Sequence, residues 1–307
     1  MMHMKKVWAK IIRGLIVVLA QLPLKFHYFM GDIFSWLAKN VIRYRVGTVW
    51  MNVSRAFPEM KYYQLKKIVN DYYKHFGEII AEAVWFGGSS YQRLNRQGIV
   101  KVVNPEVLDQ MFLNSPSVTA LFTHCGNWEI LGGLLGYMSA DGFRTSIQEQ
   151  DITVVYKKLS NEVSDLVFFE NRVAPLINSY PDTEVESKNI LRYAIKHKDD
   201  RRLYIYPADQ CPFRGSGRHD IGTFLNQHTY AMIGSVGLAS KLSHAVVYMK
   251  MKSVRRGYYE MEFIPICDDA SKHSPDDLIL KYYQLLEEEI KETPHNWLWS
   301  HNRWKLK

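Results

Sequence analysis

The segment FTHCGNWEI, residues 122–130, places a histidine and a glutamate five positions apart around a small loop. A carboxylate that hydrogen-bonds one imidazole nitrogen fixes the ring tautomer and raises the basicity of the other nitrogen. If Glu129 reaches back to His124, the free ring nitrogen can take a proton from a hydroxyl group. The pair would then be a general base and its orienting group, and the substrate would bring the nucleophile.

The residues between the pair favour a turn followed by a helix. Gly126 permits a tight turn, and Asn127 is a good N-cap for a helix that begins at Trp128. Backbone N–H groups around Gly126 and Asn127 are candidates for stabilising an oxyanion. The same spacing also fits a capped core histidine followed by a glutamate that the helix macrodipole stabilises. The spacing alone favours neither interpretation.

Short runs rich in strand-forming residues alternate with amphipathic segments along most of the chain. The predicted strands are 117–123, 153–157, 175–178, 202–206, 245–251 and 258–266, and the predicted helices are 60–86, 128–138, 160–171, 184–197, 229–242 and 275–291. This alternation predicts an α/β fold with a mostly parallel central sheet flanked by helices, whose last two strands form a hairpin around Arg256-Gly257. Chemistry in such sheets occurs beyond the carboxyl ends of the strands. His124, Lys157 and Asp209 each lie at or just past the end of a predicted strand, so we expect them to converge.

Composition narrows the classes of partner. The 307 residues are 47% apolar, which is ample for a large buried core. The formal net charge of +8 implies attraction to an acidic partner: nucleic acid, anionic lipid or a phosphorylated substrate. The spacings of nucleic-acid-binding motifs are lacking, so we do not expect a nucleic-acid partner. Three widely separated cysteines fit a reducing compartment. No metal-binding spacing occurs, and we expect neither a metal nor a cofactor.

The first 45 residues favour contact with a membrane surface. Residues 7–22, VWAKIIRGLIVVLAQL, contain Lys10 and Arg13 and are shorter than the roughly 20 residues of a spanning helix. The following segment, PLKFHYFMGDIFSWLAKNVIRYR, mixes aromatic side chains with cations, as helices in the bilayer interface do. The alternative is an amphipathic helix packed on its own domain. We predict a membrane-associated helical segment over 1–45, which either lies on the membrane or crosses it once, and a second domain over 46–307.

Several segments together resemble one protein family. The region around His124 resembles the His-x4-Asp/Glu motif of the glycerolipid and lipid A acyltransferases, and glutamate at 129 favours the lipid A branch. Segments that resemble blocks of the bacterial late acyltransferases of lipid A biosynthesis, the lauroyl and myristoyl transferases, follow in order: RYRVGTVWMNVSRAFPE (43–59), VVYKKLSNEVSD (154–165), YPADQCP (206–212), FLNQHTYAMIGSVGLASKLSHAVVYM (224–249) and HNWLWSHNRWK (295–305). The resemblance therefore spans nearly the whole chain.

This resemblance implies that residues 46–307 form an acyltransferase domain. The domain would move a fatty acyl chain from acyl carrier protein to a hydroxyl of a lipid A precursor, at the cytoplasmic face of the inner membrane. His124 and Glu129 would be catalytic. The residues expected to bind or position substrate are Gly126, Asn127, Tyr156, Lys157, Arg172, Asp209 and Gln210. Asp209 is expected to support the site by hydrogen bonding. Arg172 would either bind an acceptor phosphate or form a salt bridge at a helix end.

The chain departs from the family pattern at a few positions. Lys157 and Lys158 stand where the family has Arg-Pro, which replaces a bidentate guanidinium with point charges. Asn226 stands where glycine is common. Two alternatives therefore stay open: the same chemistry on another acceptor, such as an aminolipid or a lysophospholipid, and a catalytically silent membrane protein that binds lipid.

Overall fold

The computed structural model describes residues 2–178, 180, 183–213 and 218–306. Its α-helices are α1 (Met2–Leu19), α2 (Leu24–Trp36), α3 (Val46–Ala56), α4 (Tyr62–Phe86), α5 (Tyr91–Gln97), α6 (Glu106–Asn114), α7 (Leu134–Met138), α8 (Glu162–Arg172), α9 (Ile190–Lys196), α10 (Gly234–Lys241) and α11 (Pro275–Glu292). Its strands are β1 (Val100–Val102), β2 (Ser117–Phe122), β3 (Ile152–Tyr156), β4 (Glu184–Glu186), β5 (Arg202–Pro207), β6 (His219–Phe224), β7 (Gln227–Ala231), β8 (Ala245–Arg255) and β9 (Tyr258–Cys267). Shorter helical segments are π-helical Leu37–Val41 and the 3-10 turns Trp128–Gly133, Glu149–Asp151, Ala270–Lys272 and Pro294–Asn296.

The predicted α/β fold with a mostly parallel sheet is confirmed. Within the described residues, the central sheet has seven strands in the order β1-β9-β8-β2-β5-β3-β4. The pairs β8–β2, β2–β5, β5–β3 and β3–β4 are parallel, as is β1–β9. The antiparallel pair is β8–β9, the predicted hairpin around Arg256-Gly257. The carboxyl ends of β2, β5 and β3 therefore lie side by side at one edge of the sheet.

Alternate side chains of the central strands enter two cores, one on each face of the sheet. In β5, Leu203 and Ile205 belong to one core, and Tyr204 and Tyr206 belong to the other. Helices α3, α4, α10 and α11 contribute to the second of these cores, and α5, α6 and α7 contribute to the first. Strand β2 is buried at every position because helices cover both faces, which explains the uninterrupted run SVTALF.

Two predicted elements near the edge of the sheet are wrong. Residues 175–178, predicted as a strand, are irregular, with a turn at 175 and a bend at 177–178. The strand that pairs with β3 is instead β4, inside the segment 184–197 that was predicted to be helical, and that segment keeps its helix only as α9. A three-residue edge strand is stabilised by its partner strand, so it is too short to produce a periodic pattern of its own.

The segment 229–242, predicted as one helix, begins as strand β7 and becomes helical only at α10. Strands β6 and β7 form a separate two-stranded sheet. Their two turn residues, Leu225 and Asn226, have φ values of 48° and 58°. Such left-handed conformations at both central residues match the twist of a hairpin, and asparagine tolerates them better than most residues. Asn226 can therefore occupy a position where glycine is common in the family.

The amino-terminal helices have one packed face and one exposed apolar face. Helix α1 lies against α8, and α2 lies against α4. The large exposed apolar side chains include Trp8, Ile11, Leu15 and Val18 on α1, and Phe29, Met30, Ile33 and Trp36 on α2. Among the described residues, no helix alone has the length and apolar character to cross a membrane, whereas the pair Met4–Leu19 and Leu24–Val41, bent by 119°, meets both criteria when taken together. Membrane contact of this segment stays a prediction.

Candidate functional site

His124 and Asp209 form the centre of the site. In the parallel pair β2–β5, Phe122 lies opposite Pro207. His124 and Asp209 each follow two residues later, so the two side chains leave neighbouring strands at the same level. Nδ1 of His124 lies 2.7 Å from Oδ1 of Asp209, and the His124 backbone N–H donates to Oδ2 at 3.0 Å. Asp209 therefore makes the hydrogen bonds expected of a residue that supports the site.

The Asp209 carboxylate is fully enclosed, at 2% exposure. Its third hydrogen bond comes from Nε1 of Trp297, at 2.8 Å from Oδ2. Burial by itself would raise the pKa of Asp209, but the adjacent His124 and the hydrogen bonds hold that pKa at about 2. Asp209 is therefore an anion at neutral pH. A charged Asp209 accepts a hydrogen bond from the N–H at Nδ1 of His124, which leaves the lone pair of the imidazole on Nε2.

The predicted contact between Glu129 and the imidazole is wrong. The Glu129 carboxylate accepts from Nε1 of Trp128 at 2.9 Å, and from Nε and Nη2 of Arg172 at 3.1 and 3.3 Å. The helix predicted at 128–138 is a 3-10 helix over its first six residues, Trp128–Gly133. In this turn Glu129 is directed toward Arg172 on α8, whereas the strand register already supplies His124 with a closer carboxylate.

The side-chain amide of Gln210 is hydrogen-bonded to the other ring nitrogen of His124. Its Nε2 lies 3.0 Å from Nε2 of the imidazole. With the proton on Nδ1, the imidazole Nε2 accepts this hydrogen bond from the amide. A hydroxyl substrate that gives its proton to His124 must therefore displace Gln210 from the lone pair.

A cavity of about 660 Å³ opens beside His124. Its apolar wall includes Trp128, Leu131, Leu134, Leu135, Ile152, Val154, Phe168 and Leu176, and its polar residues include Glu129, Tyr156, Lys157, Lys158, Arg172 and Gln210. It extends along β3 from Tyr156, at the carboxyl end of the strand, to Ile152 at the amino end. Because a strand rises about 3.3 Å per residue, the cavity extends roughly 13 Å along the sheet. Its size is in the range of small-molecule sites.

Arg172 is held between two carboxylates inside the cavity. Beside its bonds to Glu129, its Nη1 lies 3.8 Å from Oε1 of Glu184. Burial lowers the pKa of Arg172, but the charge and hydrogen bonds of Glu129 together with the charges of Glu184 and Asp165 outweigh this effect, so the pKa is raised. Of the two roles that the sequence left open for Arg172, the structure shows the salt bridge at the carboxyl end of α8. Lys157 is exposed at the cavity mouth, where its Nζ lies 4.4 Å from the ring centroid of Phe213.

Gly126 and Asn127 are directed away from the cavity. Gly126 has a φ of +64°, and a Cβ there would approach the backbone oxygen of Met251 to 2.8 Å. Its N–H donates to the carbonyl of Asn296 at 3.1 Å, so it is not available for an oxyanion and that prediction is wrong for Gly126. Asn127 is completely buried and caps the 3-10 turn: its Oδ1 accepts from the backbone N–H of Glu129.

The predicted site residues therefore separate into two groups. His124, Glu129, Tyr156, Lys157, Arg172 and Gln210 line the cavity, whereas Gly126, Asn127 and Asp209 lie behind it. Sequence reasoning missed Trp297 as a partner of Asp209. Its segment, HNWLWSHNRWK, resembled a family block, but no residue pattern indicated a hydrogen bond to Asp209. The thiol of Cys125, next to His124, is buried, and burial raises its pKa.

These features define a class of protein: an α/β enzyme-like fold whose buried imidazole–carboxylate pair adjoins an apolar cavity at the carboxyl edge of the sheet. Residues 1–306 match the family model described as bacterial lipid A biosynthesis acyltransferase, and the chain belongs to that family. The protein is therefore an acyltransferase for a lipid A-like acceptor, and the alternative of a catalytically silent protein is removed. A comparison with curated proteins found no significant match.

Proposed function

We propose that this acyltransferase moves a fatty acyl chain from the thioester of acyl carrier protein to a hydroxyl of a lipid A precursor, with His124 as the general base. The position of His124 carries the proposal. Asp209 holds Nδ1 from behind, and Nε2 meets Gln210 at the wall of an apolar cavity. An acyl chain that enters this cavity brings its thioester carbonyl to the imidazole, and the roughly 13 Å extent of the cavity suits a hydrocarbon chain.

The reaction uses no acyl-enzyme intermediate. The acceptor hydroxyl displaces Gln210 from Nε2 of His124 and gives its proton to that nitrogen as its oxygen attacks the thioester carbon. The C–S bond then breaks, and the thiolate of the carrier protein takes the proton from the imidazolium. Asp209 stabilises the imidazolium while it exists. The displaced Gln210 amide is free to donate to the thioester oxygen as negative charge develops there.

Two lysines at the cavity mouth, Lys157 and Lys158, are proposed to bind substrate phosphates. The guanidinium of Arg172 is already paired with Glu129, so its charge is largely neutralised. Lys157 and Lys158 are exposed beside the cavity and remain free to meet an anionic acceptor. Lysine supplies a point charge rather than the bidentate fork of arginine, so it tolerates phosphates in more than one orientation. Glu129 then acts by holding the Arg172 side chain against the cavity wall.

The lipid acceptor would reach the cavity from a membrane surface formed by α1 and α2. Exposed aromatic and aliphatic side chains cover these helices, and Lys5, Lys6 and Lys10 add positive charge. Helix α1 lies against α8, which carries Phe168 and Arg172 of the cavity wall. We propose that this surface lies on the cytoplasmic face of the inner membrane, because its apolar and basic side chains suit a lipid interface, and that acyl carrier protein approaches from the cytoplasm.

Purified protein, acyl carrier protein charged with a fatty acid, and a lipid A precursor provide the direct test. We expect wild type to transfer the chain and His124→Ala to lose transfer by at least about 100-fold. The control is His197→Ala, because His197 also pairs with an aspartate: its Nδ1 lies 2.6 Å from Oδ2 of Asp200, before β5. Full activity in His124→Ala would refute the assignment of the base.

The lipid profile of a deletion strain identifies the acceptor. Loss of one acyl chain from lipid A supports the proposed substrate. Unchanged lipid A with another acylated lipid missing would show instead that the acceptor is an aminolipid or a lysophospholipid. Complementation with wild type, but not with His124→Ala, links the missing lipid to this site.

A further inference from the structure

A buried carboxylate on α4 contacts the loop that carries the site from behind. Glu82 has no exposed surface, and it accepts three hydrogen bonds from three different parts of the chain. Nδ2 of Asn127 donates to Oε2 at 2.8 Å, the hydroxyl of Tyr259 on β9 donates to Oε2 at 2.7 Å, and the hydroxyl of Tyr28 on α2 donates to Oε1 at 2.7 Å. None of these four side chains lines the cavity.

We propose that Glu82 is a positioning residue for acyl transfer, because it holds the loop of His124 in place through Asn127. The inference rests on the proposed function only in taking the loop of residues 124–129 as the catalytic one. Glu82 itself lies outside the cavity lining and touches neither substrate nor the reacting atoms.

Asn127 connects Glu82 to the cavity through both ends of its amide. Its Nδ2 donates to Glu82, and its Oδ1 accepts from the N–H of Glu129 at 3.1 Å. Rotating the amide by half a turn would bring its oxygen against the Glu82 carboxylate and its NH2 against another N–H donor. The carboxylate thus selects one orientation of Asn127. That orientation caps the turn that places Trp128 and Glu129 in the cavity wall.

A second residue of α4 holds the same loop one step earlier. His75 lies two helical turns before Glu82, on the same face of the helix. Nε2 of His75 lies 3.2 Å from the carbonyl oxygen of Gly126. The ring of His124 also packs edge-on against Trp128, with ring centroids 5.0 Å apart. Helix α4 therefore holds the loop that carries His124 at two points, Gly126 and Asn127. Trp128, which follows the loop, contacts the imidazole.

The same carboxylate also connects the site to the amino-terminal helices. Tyr28 of α2 supplies one of its three donors. Helices α2 and α4 approach each other closely at Gly31 and Gly77, where a Cβ on Gly31 would come within 2.6 Å of the Gly77 carbonyl oxygen. A guanidinium on the β8–β9 turn strengthens this junction, because Arg256 bonds both Asp32 on α2 and Glu78 on α4. The position of α2 thereby helps to define the position of Glu82.

The test compares two side chains of similar size at position 82. Glu82→Gln keeps an acceptor oxygen for Asn127 and Tyr259, and its NH2 can donate to the rotated hydroxyl of Tyr28. Glu82→Met fills the same space without an acceptor. We expect Glu82→Met to lower kcat by about 100-fold with an unchanged KM for the acyl donor, since a displacement of about 1 Å costs this much, and Glu82→Gln to recover most of the rate.

Hydrogen–deuterium exchange provides a readout that does not depend on the reaction. We expect the amides of residues 126–131 to exchange faster in Glu82→Met than in wild type or Glu82→Gln. Thr119→Val is the control for lost stability alone. It removes the buried hydrogen bond between Thr119 in β2 and His244, neither of which lines the cavity, and should leave kcat unchanged. If Glu82→Met does not fold, Glu82→Asp, which retracts the carboxylate by one methylene, should lower kcat by about tenfold.

Three results would overturn the proposal: a folded Glu82→Met with wild-type kcat and exchange, a Glu82→Gln that loses as much rate as Glu82→Met, or, where only Glu82→Asp folds, wild-type kcat in that variant. Failure of the proposed function is a different result, namely no transfer by wild type. In that case the exchange experiment still decides whether Glu82 holds the loop.

Discussion

Replacing Asp209 with asparagine tests the central pair most directly. The carboxylate accepts three hydrogen bonds: one at Oδ1 from His124 Nδ1, and two at Oδ2, from Trp297 and from the His124 backbone. An asparagine has one acceptor oxygen and one NH2 group. If the NH2 group took the Oδ2 position, it would meet two N–H donors in a buried site, at a cost of about 1–3 kcal/mol for each unsatisfied group. We therefore expect the amide oxygen to take the Oδ2 position.

This orientation has a defined effect on the imidazole. The NH2 group of the introduced asparagine then faces Nδ1 of His124, so Nδ1 becomes an acceptor and the ring proton moves to Nε2. The nitrogen at the cavity no longer has a lone pair for the substrate hydroxyl. In serine-protease triads the corresponding aspartate-to-asparagine change lowers kcat by about 10⁴-fold through the same tautomer error. We expect a loss of about 10³- to 10⁴-fold here, with the fold retained.

The assay is steady-state acyl transfer from acyl carrier protein, combined with ¹⁵N NMR of the histidine ring nitrogens. Wild type should show the proton on Nδ1 of His124 and Asp209→Asn should show it on Nε2. Asp200→Asn is the matched control, because Asp200 pairs with His197 outside the cavity. A kcat for Asp209→Asn within about threefold of wild type would refute the reasoning, as would an unchanged tautomer accompanied by full loss of activity.

Three further changes test the cavity, the loop packing and a buried acid. Ile152→Trp fills the end of the cavity distant from His124, so we expect preference for shorter acyl donors, by about fourfold per excluded methylene, in a competition assay read by mass spectrometry; an unchanged preference would contradict the assigned direction of the chain. Gly132→Ala places a Cβ 1.8 Å from the Arg172 carbonyl oxygen, so we expect the free energy of unfolding, measured with denaturant, to fall by about 1–3 kcal/mol. Gly14 is exposed and has no atom near its Cβ position, so Gly14→Ala should show no such loss. Burial raises the pKa of Glu289 from 4.5 to about 8. The folded state then retains a proton that the unfolded chain releases, so the stability from this group is full below pH 4.5 and is lost as pH rises through about 8; unfolding titrations should show this loss in wild type and not in Glu289→Gln.

Much of the fold follows from local sequence because the relevant segments are long or doubly buried. The run SVTALF is apolar without alternation, as a strand covered on both faces requires, and it was predicted within one residue of β2. Helices α4 and α11 were predicted within two residues at each end because their apolar spacing extends over several turns. The short elements β1, β4 and the β6–β7 hairpin were not predicted, since each depends on a partner strand rather than on its own pattern.

The site, like the fold, was predicted only in part from the sequence. Position after a strand end was sufficient to select His124, Lys157 and Asp209, because parallel strands bring their carboxyl ends to one edge. Sequence proximity favoured Glu129 as the partner of His124. The carboxylate that bonds His124 is instead that of Asp209, 85 positions away. Closeness along the chain was misleading here, because a 3-10 turn directs Glu129 to Arg172 on another helix.

By itself, the sequence determined which residue types can do the chemistry and on which kind of sheet edge they lie. Its ordered motifs were also sufficient to indicate the family that the whole-chain match then showed. The tertiary structure alone decided the pairing. The register of β2 against β5 sets Asp209 behind His124, and the fold of α4 brings Glu82 to Asn127, over 45 positions. Pairing between distant residues depends on register and helix packing, which no local pattern encodes.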